Sequence, residues 1–152
     1  METTSASNNK NDRTNGVLIH LSGFLKYTFP LLFLIVPILI WSKNRENNFV
    51  DDHGRQAINF QLSMLLYSVL LTFVFLGFFF YFIIDLVAFI EVLESGSRII
   101  FPTWMLWIGL ILGLFATKSI FEIVVTIIAA FRASNGKEYT YPLSISFLKT
   151  KS

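Results

Sequence analysis

The chain has 152 residues, 54% of them hydrophobic and 14% charged, with a net charge of +2 and no cysteine. So apolar a composition lies outside the range of ordinary soluble domains, and so small and dispersed a positive charge argues against a nucleic-acid partner. The lack of cysteine excludes a disulfide framework, a thiolate zinc site and a cysteine nucleophile. Seventeen phenylalanines suit a surface that meets hydrocarbon, which makes the lipid bilayer the first expected partner.

Residues 1–15 are rich in Ser, Thr and Asn without apolar periodicity and read as a disordered polar tail. The segment lacks the features of a cleaved signal: its basic residues come late, and the apolar run behind it is too long. A single membrane domain is expected over 17–147, followed by a short tail, 148–152. Its first span is Val17–Trp41, 25 residues that cross a core of roughly 30 Å at about 1.5 Å per residue. Pro30 and Pro37 would kink it, as membrane helices tolerate, and Trp41 would anchor it at the interface. Ser42–Val50 is a hydrophilic connector.

A helix should then start at Asp51 or Asp52, with Asp52 preferred as the cap, because a carboxylate there accepts from free first-turn amides and complements the dipole. Spans over 57–90 and 99–131 follow, and Glu91–Arg98 turns between them with Pro102 in the first turn of the second. The expected fold is therefore an all-α integral membrane protein with three transmembrane helices, the two long ones forming a hairpin, plus an extended C-terminal segment. Four spans are the alternative, through a break near Ala116–Ser119. Ser134, Asn135 and Gly136 should stop the last helix. Beyond them Tyr139, Tyr141, Leu143, Ile145 and Phe147 alternate with more polar residues, the pattern of a one-sided extended segment. With three spans, the Lys and Arg distribution puts the C-terminus in the cytoplasm and the N-terminus outside.

Gln56, Asn59, Ser63 and Tyr67 recur at helical spacing and give one apolar helix a polar stripe. A symmetric hairpin about Glu94 and Ser95 sets Tyr67 beside Glu122, Ser63 beside Thr126 and Asn59 beside Ala130. Lys118 and Glu122 are four apart, and Lys26 falls at a similar depth. Lys26, Asn59, Ser63, Tyr67, Lys118, Glu122 and Thr126 are thus the candidate interhelical polar contacts. Gly109, Gly113 and Gly77 offer close backbone approach within the hairpin. Asp51, Asp52 and His53 suit capping better than metal binding, since the other histidine, His20, is expected on the opposite side. No catalytic constellation, cofactor site or metal site is expected.

Trp41, FVDDHGRQAINFQ (Phe49–Gln61) and AFRASNGKEYTYPLSISF (Ala130–Phe147) together resemble a known family. The resemblance is to small bacterial membrane proteins of unknown function grouped with the twenty-kilodalton Tic component of the chloroplast inner-envelope import machinery. It covers about Val17–Phe147 and implies an all-helical integral membrane domain with a link to a protein-conducting assembly. The import members have four spans, against three apolar segments here. The expected function is a noncatalytic subunit or scaffold of the cytoplasmic membrane, with a membrane-protein partner or a second copy. The alternative is a component of a transport or protein-translocation assembly, with a polar path between helices.

Overall fold

In the computed structural model, which describes residues 9–96 and 104–149, all regular structure is helical: α1 (Lys10–Leu21), a 3₁₀ helix (Ser22–Tyr27), α2 (Leu32–Asn44), α3 (Asn48–Glu94) and α4 (Trp104–Ser134). The polar tail expected through residue 15 gives way to helix at Lys10. Asn9 caps α1 by accepting from the Asn11 amide at 3.1 Å, and Asp12 lies in its first turn, where the dipole favours a negative charge.

The expected span Val17–Trp41 is not one helix. Ser22 Oγ donates to the Ile19 carbonyl at 2.6 Å, Gly23 follows, and Pro30 lacks an amide proton and disfavours helix at the residue before it. Helix resumes only at Leu32, and α2, at 13 residues, is shorter than the roughly 20 a crossing needs.

α3 begins four residues before the preferred cap Asp52. Asn47 caps it instead: its Oδ1 accepts from Phe49 N at 2.9 Å and Val50 N at 3.3 Å, which leaves Asp52 inside the helix and buried. The helix runs 47 residues and ends before Gly96, whose φ of +66° is the left-handed value a helix stop requires. α4 runs 31 residues without a break at Ala116–Ser119. At its end Lys137 N reaches Arg132 O and Gly136 N reaches Ala133 O, both at 3.0 Å, with Gly136 at φ +69°. This double closure is the stop expected from Ser134-Asn135-Gly136. Pro102 and Arg98, given roles in the hairpin turn, lie outside the described residues.

The chain groups into two compact units, Met1–Leu65 with Phe121–Ser152, and Leu66–Ile120. In the first, Ile19, Phe49, Val50, Ala57 and Ala133 form the buried apolar core. α1 approaches closely at Gly16, where an added Cβ would lie 3.2 Å from the Phe49 ring and 3.3 Å from Ala133 Cβ. In the second, the apolar side chains face outward: Phe80, Ile84 and Leu106 are each more than 70% exposed. α3 and α4 are both long and apolar enough to cross a membrane, and none of the most apolar stretch of α3 is buried.

Candidate functional site

The first unit is organised around the start of α3. Asp51 is buried there and accepts from Trp41 Nε1 at 2.8 Å and from Arg55 Nε at 3.0 Å, so the charge is both paired and hydrogen-bonded, as burial demands. The Arg55 guanidinium also lies 5.5 Å from the centre of the Trp41 ring. One turn along, Gly54 lets that indole pack onto the α3 backbone: a Cβ there would sit 2.9 Å from Trp41 Cβ and closer still to the ring. Trp41, expected as an interfacial anchor, thus ties α2 to α3.

Two residues of the polar stripe, Asn59 and Ser63, bond the C-terminal segment. Asn59 holds it at both polar atoms: Nδ2 donates to Leu148 O and Oδ1 accepts from Leu148 N, each at 2.8 Å. Ser63 Oγ donates to Asn59 O at 2.7 Å and accepts from Ile145 N at 2.8 Å. Arg55 Nη1 adds a bond to Lys149 O at 3.1 Å. An extended segment needs partners for its backbone, and a helix face bearing Asn and Ser supplies them. The expected alternation holds only as far as Tyr141, which is buried against Phe60 with ring centroids 4.0 Å apart. A turn at Pro142 and Leu143, the latter at φ +58°, breaks the period, and Leu143, Ile145 and Phe147 are exposed.

Behind this segment lies a buried hydrogen-bonded series that sequence reading missed. His20 Nε2 and His53 Nδ1 are 2.7 Å apart, and Tyr141 Oη is 3.0 Å from His20 Nδ1. Thr126 hydrogen-bonds the Tyr141 phenol, and the Lys137 main chain lies beside His53. With both rings neutral, one donor order serves the whole series: Thr126 to Tyr141, Tyr141 to His20 Nδ1, and His20 Nε2 to His53 Nδ1. Burial favours that neutral state. It holds His20 well below the ordinary histidine range, with His53 adding to the effect, and lowers His53 to about 4 against the opposing influence of Lys137 and Glu138. Burial likewise raises the Tyr141 phenol.

His20 was expected on the opposite side from His53; the break after Leu21 brings it to His53 instead. Two nitrogens bonded to each other do not both offer lone pairs to a cation. Among the described residues no group of three or more His, Cys, Asp or Glu is placed to hold a metal ion.

Glu122 is buried and pairs with Lys26 of the 3₁₀ helix, and Thr126 bonds Tyr141. Tyr67 and Lys118 fall in the second unit, both half-buried. No atom lies within 4 Å of a Cβ built at Gly77, Gly109 or Gly113, so these glycines do not bring backbones of this chain together.

The described residues between Asn11 and Leu148 that build this unit fall within the match of one family model, the magnetosome magnetite crystal formation protein family, over residues 11–148. The chain belongs to that family. Comparison with curated proteins and with solved structures gives no match. Membership in the magnetosome family corrects the resemblance to the Tic-like proteins, whose two motif blocks both lie inside the matched residues. The blocks encode packing: Gly54 admits Trp41, and Asn59 holds Leu148. Such contacts specify how a chain closes on itself and carry no information about import.

Proposed function

We propose that this protein is a noncatalytic integral component of the magnetosome membrane that takes part in magnetite crystal formation. The observation that carries the reading is the exposed apolar surface of two helices of spanning length, in a chain whose family is defined by that process. Exposed side chains of this size and number need hydrocarbon around them.

Each long helix crosses once, α3 over about Leu66–Ile90 and α4 from Trp104 for a similar length, so both chain ends lie on one side. Every Lys and Arg other than Arg98 and Lys118 falls outside residues 66–120, which favours the cytoplasm for that side. Three of the polar residues a transport path would use are occupied otherwise: Asn59 and Thr126 are buried and bonded to the C-terminal segment, and Glu122 is buried beside Lys26. This supports a scaffold.

The test is deletion of the gene in a magnetite-forming cell, with crystal size and shape read by electron microscopy and cellular iron measured in parallel. Altered crystals with iron uptake unchanged, restored by the wild-type chain, are expected. Crystals indistinguishable from the parent sink the proposal, and loss of iron from otherwise normal vesicles returns the transport reading.

A further inference from the structure

Within the second unit, α3 and α4 enclose an apolar cavity of about 270 Å³ whose walls include Phe78, Phe82, Trp104, Trp107 and Ile111. Phe78 stacks on Trp107 at 4.9 Å, and Phe82 meets Trp104 edge-on at 5.0 Å. No charged side chain of the described residues lines it. Of the lining residues with polar atoms, Tyr81, Trp104 and Trp107, Trp104 has its indole nitrogen buried with no hydrogen-bond partner among the described residues.

We propose that this cavity takes one acyl chain of a membrane phospholipid, whose ester carbonyl accepts from Trp104 Nε1. A buried N–H without an acceptor is rare in folded proteins, and the burial of this nitrogen keeps interfacial water from it. The acceptor must then arrive with the occupant. Walls of aromatic and aliphatic carbon select an alkyl chain, and the lack of a cation leaves the phosphate outside. The volume falls just short of the roughly 300–1,000 Å³ of sites for whole small molecules, which suits part of a chain better than a ring system. Trp104 opens α4, at the end of a proposed crossing. Tryptophan is enriched at that depth, where the amphipathic indole meets the polar edge of the lipid. The inference rests on the membrane reading above.

The test uses the full chain in detergent, with native mass spectrometry of phosphatidylcholines carrying identical chains through ester or ether linkages. The ether lipid keeps the tail and headgroup but lacks the carbonyl. Wild type is expected to retain one lipid and to prefer the ester by about fivefold, the factor that one net hydrogen bond supplies. Trp104→Phe keeps the ring and should bind both lipids equally, whereas Ile111→Trp fills the cavity and should retain neither. Equal retention of ester and ether lipid by wild type overturns the proposal, as does undiminished retention by a folded Ile111→Trp variant. Should both variants misfold, the wild-type ester and ether comparison decides alone. Failure of the underlying reading looks different: the chain would then be recovered from the soluble fraction without detergent.

Discussion

His20 and His53 show how a single side chain's surroundings set a property of the whole first unit. Both are neutral when buried and both take up protons more readily once unfolded. Between about pH 6.5 and 4 the unfolded chain therefore binds more protons, and stability rises with pH across that window. Stability should be level above pH 6.5 and decline by up to about 1.4 kcal/mol per pH unit for each histidine as pH falls below it. Thermal unfolding followed by circular dichroism in detergent from pH 7.5 to 4.5 measures this, and a His20→Gln, His53→Gln double variant should flatten the slope. A wild-type profile that is already flat contradicts the neutral buried pair. The pairing was out of reach of the sequence because it depends on where the apolar run breaks. A straight helix over Val17–Trp41 carries His20 away from His53, while Ser22, Gly23 and Pro30 fold it back. The one available signal was chemical: a polar ring in an apolar run must find a buried partner.

At the scale of elements, α2 and α3 meet through Trp41 lying on Gly54. Gly54→Ala should push the indole off the helix, break its bond to Asp51 and cost about 1–3 kcal/mol in stability. A Trp41→Leu change made with it should cost less than the sum of the two single changes, because the smaller side chain relieves the same clash. Additive losses in that double-mutant cycle would mean the two residues do not share the contact. Long elements were legible in advance: α3 and α4 follow from continuous apolar sequence, and the end of α4 from Asn135-Gly136. The polar stripe was legible too, as residues that must face something. What it faces was not, since Asn59 and Ser63 satisfy a hairpin partner or an extended segment equally well on spacing alone. The choice went to the segment with unpaired backbone, which gains two bonds per asparagine where a facing Ala130 offers none. Asp52 failed as a cap for a local reason: Asn47, just upstream, accepts from the Phe49 and Val50 amides and starts the helix a turn earlier.

For the whole molecule, a two-crossing chain has both ends on one side, where three crossings would separate them. Single cysteines placed at Thr14, Ser95 and Ser134 of this cysteine-free chain distinguish these arrangements by labelling with an impermeant maleimide. Thr14 and Ser134 should react together and only after the membrane is opened, with Ser95 reacting from the opposite face. Labelling of Thr14 and Ser134 from opposite faces would rule out two crossings. The same connectivity constrains the order of folding. The first unit joins residues far apart in the chain: Asn59 to Leu148 across 89 positions and His20 to Tyr141 across 121. Leu66–Ile120, by contrast, is one continuous stretch of chain. During synthesis at roughly 5–20 residues per second, His20, Asp51 and Asn59 emerge several seconds before the residues that cover them. The amino-terminal third must therefore wait, half-finished and with its polar groups in water, until the last helix has been made and the carboxyl-terminal segment closes over it.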